Sequence, residues 1–474
     1  MKKIILYVLD CLRPDHLSCY GYERKTSPEI DKLASEGVVF ENAFSNSTWT
    51  RSSAASILTS TYPSVHGVMT NNDFLTKELV TLPELLQKCG FVTVGINAMG
   101  NLASVYGFDR GFTEYFDLFR SSNLKKIRDA ARGKNFGEHE SAKDAVNPLS
   151  EDINEIASSM LKKYKNDNLF IFCWSIDTHT PLSSPENFAI FSDPNYSGKV
   201  DGTHSHPPEN IKDEQQWIGL YDSEIYHNDH SIGQLVAELK KLDLYDDTTI
   251  MVTSDHGQGL GEHGKFLHGG PPYDYVIRVP MIVKLSRQFS KHADKVSNFI
   301  QLIDIFPTIT DLAGLDIQKI PTIQGKSFLP LIAGRRDEYV GHDAIYAETH
   351  QFQDSPHYRS ARTKEWKFIQ CDYPFNNKIP LKAPRALARF LLKRLKWLRN
   401  SSKMLYNLKD DPLELINLKK IHPEILKKME CQLIFWRKDC EKRVQKSNNQ
   451  ITQNVEVNED EELKSRLKAL GYID

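Results

Sequence analysis

Short aliphatic runs alternate along this chain with stretches in which apolar residues return every three or four positions. Lys3–Leu9, Phe91–Asn97, Leu169–Trp174, Thr248–Val252 and Pro280–Lys284 have the length and β-branched content of strands. Helix signals fall between them. Ser27 and Pro28 open one helix that Gly37 stops, Thr81 and Pro83 open another that Gly90 stops, Ser150 opens a third, and a charged helical pattern runs from about Asp213 to Leu242. Strands alternating with helices predict an α/β fold built on a mostly parallel central sheet covered on both faces.

Beyond residue 335 the pattern shifts to short strands such as Ala344–Ala347 and Trp366–Ile369. This change divides the chain into a catalytic-sized α/β domain, 1–335, and a smaller C-terminal α+β subdomain, 336–474. Two stretches are poorly periodic: 111–147, expected as a surface insertion, and 447–462, expected as a connector to a last helix ending near Leu470. No internal repeat is evident. The apolar run after Met1 is too short for a signal peptide, is closed by Asp10, and is followed by no small-residue cleavage site, so a first strand and a cytoplasmic protein are expected. No stretch reaches membrane-spanning length.

Composition adds little: 60 basic and 62 acidic residues leave a net charge of −2. Nothing in that balance calls for nucleic acid. The seven cysteines include no CxxC pair, so neither a disulfide scaffold nor a zinc ribbon is expected. One local bias stands out. Nine Lys or Arg residues and no acid lie between Lys378 and Lys403, with Leu387, Phe390, Leu391, Leu395 and Leu398 on one helical stripe. A basic amphipathic helix of this kind suits either packing with solvated cations or docking on an anionic membrane surface or polyanion.

The chemistry gathers where strands end. In open α/β sheets ligands bind beyond the carboxyl ends of the strands. The first run ends in Asp10, the third leads into Asp177 and His179, and the fourth ends in Ser254-Asp255-His256-Gly257. A hydroxyl-rich stretch, Ser45 to Gly67, contributes Thr50 just ahead of a helical run. Thr50 reads as a helix N-cap if taken alone; beside metal-competent residues it reads as a nucleophile. Asp10, Asp255, His256 and the Thr50 oxygen would together hold one divalent ion (Ca²⁺, Mg²⁺, Mn²⁺ or Zn²⁺). His179 and His268 could contact the transferring group or protonate a leaving oxygen, with Lys265 and His263 as further candidates. Asp177, His179 and His263 are the residues a two-metal version would draw on; a single metal is the expectation.

Eight separated motifs then carry a family resemblance: 8–22, 27–37, 58–67, 177–181, 253–257 with 261–264, 278–282, 304–308 and 405–412. In this order they resemble the sulfatase family of the alkaline phosphatase superfamily. The resemblance implies an alkaline phosphatase-like sandwich with one divalent metal at the strand ends. Asp10, Asp255 and His256 match metal ligands, Thr50 matches the nucleophile, and His179 and His268 match substrate contacts. The chain also departs from the pattern. Sulfatases begin their nucleophile motif with a Cys or Ser that becomes formylglycine, with Pro and Arg following; here the corresponding residues are Thr50, Ser52 and Ala54. A slipped register would use Ser47 with Arg51. The second acid usual in the metal loop is replaced by Cys11.

These departures bear on the reaction. Threonine has no second hydroxyl with which to expel sulfate by C–O cleavage, so a Thr50 intermediate must be released by attack at phosphorus or sulfur. Threonine-bearing relatives are similar phosphodiesterases and phosphoglycerol or phosphoethanolamine transferases. The expectation is a metal-dependent hydrolase of sulfate or phosphate/phosphonate esters, acting on an anionic ester substrate. A phosphodiesterase or transferase working on a lipid-linked or polyanionic substrate is the alternative, and a non-catalytic polyanion-binding protein is the alternative of another class.

Overall fold

The computed structural model describes residues 1–120, 148–317, 320, 322–353, 355–372, 403–448 and 461–469. Its strands, in chain order, are β1 (Lys3–Leu9), β2 (Val38–Phe40), β3 (Ala43–Phe44), β4 (Phe91–Asn97), β5 (Glu114–Asp117), β6 (Asn168–Ser175), β7 (Thr248–Ser254), β8 (Arg278–Val279), β9 (Met281–Lys284), β10 (Lys295–Val296), β11 (Ile300–Gln301), β12 (Ile345–Thr349), β13 (His357–Arg362), β14 (Trp366–Asp372) and β15 (Lys403–Asn407). Eight form the central sheet in the order β10-β2-β9-β7-β1-β6-β4-β5. Only β9 runs against its neighbours. β1 and β7 are buried at every position and β6 at all but its first residue, as a sheet covered on both faces requires.

Six longer helices frame the sheet: α1 (Pro28–Glu36), α2 (Thr50–Thr59), α3 (Leu82–Lys88), α4 (Ser150–Lys163), α5 (Ile211–Lys241) and α6 (Ile305–Ala313). Their starts follow local chemistry. Thr81 and Glu84 close a reciprocal capping box on α3, and the Asn210 side chain accepts from the backbone N–H groups of Lys212 and Asp213 at the head of α5.

The second sheet, β12-β13-β14-β15, is wholly antiparallel. Helix α7 (Pro423–Asn448) lies across it, setting Met429, Leu433, Trp436 and Cys440 against Ala361, Phe368 and Leu405. Trp436 stacks on Tyr346 at 4.9 Å and meets Tyr62 edge-on at 5.1 Å, tying this layer to the segment after α2. The last described helix, α8 (Glu461–Ala469), sends Leu463 and Leu467 back into the first domain's core.

One expectation needs correction. The stretch 111–147 does not begin as an insertion, because Glu114–Asp117 forms edge strand β5, paired with β4, and Tyr115 packs over Gly95. A four-residue edge strand carries too short a pattern to be distinguished from the polar sequence after it. Residues 121–147, the basic segment 378–402 and most of 447–462 lie outside the described residues. Among the described residues no helix is long and apolar enough to cross a membrane, and all seven cysteines are free.

Candidate active site

Strand register builds the site. Leu9 pairs level with both Ser175 and Ser254, so Asp10, the Ile176–His179 turn and Asp255–His256 leave the sheet on one rim. Helix α2 starts over this rim. Its N-cap is Trp49, with no capping side chain, so Thr50 is the first helical residue and its hydroxyl is turned to other use. Ser53 likewise does not cap: its hydroxyl donates to the Asp255 carbonyl at 2.8 Å.

Four donor atoms converge there. Thr50 Oγ1 lies 3.4 Å from Asp10 Oδ2 and 3.3 Å from His256 Nε2, and His256 Nε2 lies 3.1 Å from Asp255 Oδ2. All four residues are 0% exposed, so whatever balances their charge must be local. Burial raises both carboxyls to about 7, and for Asp10 the neighbouring Asp255 adds to the effect. Trp174 Nε1 donates to Asp10 Oδ2 at 3.2 Å, while Asp255 Oδ1 accepts from the N–H groups of Cys11 (3.2 Å) and His256 (2.9 Å). Asp255 Oδ2 takes no hydrogen bond of good geometry.

The imidazoles are oriented by acceptors. His256 Nδ1 sits 2.9 Å from the Gly257 carbonyl and His179 Nδ1 sits 2.6 Å from the Thr180 carbonyl. A carbonyl only accepts, so each Nδ1 carries the hydrogen and each Nε2 the lone pair. His268 follows the same logic through Gln258, whose Nε2 donates to the Phe266 carbonyl and whose Oε1 faces His268 Nδ1 at 3.0 Å. His268 stacks on His256 at 4.5 Å and meets His179 edge-on at 5.1 Å. Burial lowers the pKa of all three, His179 to about 3.

Residues 2–315 match the family model described as Sulfatase. The chain belongs to the sulfatase family. A second model, N-sulphoglucosamine sulphohydrolase C-terminal, matches residues 261–379. Human N-acetylgalactosamine-6-sulfatase is 26% identical over 370 residues, 70% of this chain and 66% of that protein. The arylsulfatase of Clostridium perfringens (strain 13 / Type A) is 25% identical over 417 residues, 77% of this chain and 85% of that one. The phosphonate monoester hydrolase of Agrobacterium radiobacter shares the fold with a TM-score of 0.70 at 18% identity, covering 93% of this chain and 96% of that one. These relatives place the chain among the ester hydrolases of a metal-dependent superfamily.

The donor set fits such a metal. Two buried carboxylates, one imidazole lone pair and one hydroxyl converge, and the Asp255 oxygen that lacks a well-formed hydrogen bond is among them. Asp10, Thr50, Asp255 and His256 would hold a divalent cation.

Other sequence candidates lie elsewhere. Lys265 is exposed. His263 stacks on Tyr273 at 4.0 Å and its Nε2 lies 3.1 Å from the Leu413 carbonyl, so it joins the two sheets' layers. Asp177 turns below the rim toward the Ser150 N–H and His227. Ser47 stays in the turn before α2, its N–H donating to Ser45 Oγ, and Arg51 donates to the Asn71 and Asp73 carbonyls and stacks on Tyr106. Thr50, not Ser47, is therefore the hydroxyl placed against Asp10 and His256.

Sequence reading missed two members of the site. Cys11 registered only as a missing acid, yet its thiol lies 3.1 Å from Asp10 Oδ1 and 3.5 Å from His268 Nδ1. His204 comes from a polar loop with no motif around it; its Nε2 pairs with Thr180 Oγ1 at 2.7 Å and its ring lies 6.3 Å from that of His179.

Proposed function

We propose that this sulfatase-family chain hydrolyses esters of tetrahedral anions through a covalent intermediate on Thr50, with phosphate and phosphonate esters as substrates on a par with sulfate esters. The observation that carries the reading is the position of Thr50 Oγ1, at the first residue of α2 and within 3.4 Å of Asp10 and His256. Asp10 Oδ2 accepts from the Thr50 hydroxyl at 3.4 Å, so the hydroxyl proton has a destination as attack begins, while the His256 Nε2 lone pair is the one that would face a cation. The first-turn N–H groups of α2 favour negative charge beside the hydroxyl. A divalent ion in this site would supply Lewis acidity toward the hydroxyl and the ester's nonbridging oxygens. His179 and His268 close the far side and place nitrogens along the transferring group.

In the reaction, Thr50 Oγ1 bonds to phosphorus or sulfur as the bond to the leaving oxygen breaks, and the leaving oxygen departs as the alcohol. Water then attacks the same phosphorus or sulfur and Thr50 Oγ1 leaves with a proton restored. A single hydroxyl permits no C–O cleavage route, so the intermediate is released by attack at phosphorus or sulfur, chemistry familiar from phosphoryl transfer. Phosphonate monoester hydrolases and a 2-O GAG sulfatase share the fold equally, in keeping with both classes of ester. The test is a parallel assay of aryl sulfate, aryl phosphate, phosphodiester and phosphonate ester with wild type and Thr50→Ala. Turnover should fall by roughly 10⁴-fold or more. Undiminished turnover in the variant, or loss on Ser47→Ala instead, would refute the assignment.

A further inference from the structure

The turn after β15 holds four large apolar side chains in water. Leu413, Leu415, Ile416 and Ile421 are 60%, 63%, 60% and 66% exposed, and all lie between residues 413 and 421. An isolated exposed leucine calls for no explanation, whereas a cluster on one turn marks a surface that another apolar phase covers. The backbone beneath these side chains is fixed. The Asp411 carboxylate accepts from the N–H groups of Leu415 (3.0 Å) and Ile416 (2.8 Å), and the Leu418 N–H donates to the Leu405 carbonyl (2.8 Å) on the outer edge of β15. Glu414, 1% exposed, anchors the turn from within: its carboxylate meets Lys367 Nζ at 2.9 Å and accepts from the Asp274 N–H at 2.6 Å. With Glu414 held inward, Leu413 and Leu415 on either side of it stay at the surface.

Charge says what covers it. Of the acids in the turn, Glu414 is buried on a lysine, Asp411 is engaged by two N–H groups, and the exposed Asp410 accepts from Asn407 Nδ2 at 2.8 Å. Lys409 and Lys420 are exposed at its two ends. The strongest local bias in the chain also arrives here. The acid-free stretch with nine Lys and Arg residues, Lys378 to Lys403, follows the end of β14 at Asp372 and comes back at Lys403, the first residue of β15, whose carbonyl accepts from Asn417 Nδ2 of the turn at 3.4 Å. Aliphatic side chains that enter the acyl boundary, next to cations that stay among anionic headgroups, are the two halves of an interfacial membrane anchor. The turn also reaches the catalytic rim. The Leu413 carbonyl lies 3.1 Å from His263 Nε2, on the loop that carries His268, and Leu267, one residue ahead of His268, is 46% exposed.

We propose that the turn from Pro412 to Ile421 is a docking surface for an anionic lipid bilayer, and that the ester taken by the Thr50 site is borne on a lipid headgroup. The lipid-borne substrate rests on the hydrolase reading above; the docking does not. Leu413, Leu415 and Ile416 enter the bilayer surface, and the cations around them pair with headgroups. The bond from Leu413 to His263 then fixes the loop of His268 with respect to the membrane.

The experiment is flotation of the full chain with vesicles of phosphatidylcholine alone and of phosphatidylcholine mixed with phosphatidylglycerol. Wild type should float with the mixed vesicles and not with the neutral ones. The combined variant Leu413→Ser, Leu415→Ser and Ile416→Ser, shown by circular dichroism to be folded, should bind the mixed vesicles about 100-fold more weakly or worse, since burial of a single aliphatic side chain is worth about tenfold or more. It should turn over a soluble aryl ester as wild type does and lose turnover of the same ester carried on a diacylglycerol anchor in mixed vesicles. Equal binding to neutral vesicles, or binding that survives in the variant, would overturn the docking surface. So would a wild type that does not float and has a larger solution mass than the variant, which would assign the turn to a second copy of this chain. Flotation lost in the variant with turnover of the anchored ester intact would overturn the lipid-borne substrate alone. Flotation as expected with no ester of either kind turned over by wild type would overturn the hydrolase reading and leave the docking surface standing.

Discussion

Asp255→Asn should separate what the site costs from what it does. In the chelated protein Asp255 is fully buried and its pKa is raised from 3.8 to about 7. A carboxyl whose folded pKa exceeds its unfolded one holds its proton more tightly when folded, so stability falls as pH rises from 3.8 toward 7. Above that window the shift corresponds to a cost of about 4 kcal/mol for the ionised group. Asparagine keeps the oxygen that accepts from Cys11 and His256 and removes the charge. At about 2.1 cal/mol/K per residue, a chain of 474 residues has an unfolding entropy near 1 kcal/mol/K, so the gain is about 4 °C in Tm. The assay is thermal unfolding at pH 8 in chelator, and again with Mn²⁺. Wild type should rise with metal, by about 2.7 kcal/mol at a hundredfold excess over Kd. The variant should start higher, show no metal-induced rise, and lose its advantage as pH falls toward 4. A variant less stable than wild type in chelator, or one still stabilised by Mn²⁺, would refute the view of Asp255 as a buried charge kept for a cation.

Other expectations concern groups away from the metal. His66 is buried, with Nδ1 accepting from the Val68 N–H and Nε2 beside Ser56 Oγ, and burial lowers its pKa from 6.5 to about 3. Its contribution is complete above pH 6.5 and is lost as pH falls, about 2 kcal/mol by pH 5; His66→Asn should flatten that part of the stability–pH curve, and an unchanged slope would show that His66 is not the group. Lys367 on β14, fully buried, bridges Asp274 (2.8 Å), just ahead of β8, and Glu414 (2.9 Å), in the loop after β15. Lys367→Met should cost about 3–5 kcal/mol, because it leaves the buried Glu414 carboxylate without its cation while Asp274 keeps Arg362, as read by chemical denaturation; a loss under 1 kcal/mol would show the network to be solvent-relieved.

The rim was legible because its residues follow uninterrupted apolar runs. Asp10 and Asp255 stand directly after β1 and β7, so the polarity break that ends each strand also marks the site. Thr50 was legible as a helix start, and as a nucleophile only through the metal-competent residues elsewhere in the chain; that its hydroxyl does not cap the helix depends on Asp10 and His256, 40 and 206 positions away in sequence. Cys11 was seen as a substitution and not as a participant, since its left-handed backbone and proximity to His268 depend on a loop that sequence does not draw. Much of the C-terminal layer was also unreadable. β13 reads His-Tyr-Arg-Ser-Ala-Arg, with its polar side chains engaged in ion pairs such as Arg359 with Glu348 and Arg362 with Asp274. Such buried polar pairs erase the apolar alternation from which strands are recognised.

The most direct test of the central claim is to look for the intermediate. Enzyme mixed with an aryl phosphonate or phosphate ester, quenched in acid during the first turnover and mapped by peptide mass, should carry a phosphonyl or phosphoryl group on Thr50. An adduct on Ser47, His179 or any other residue, or a burst of product with Thr50 unmodified, would contradict the account.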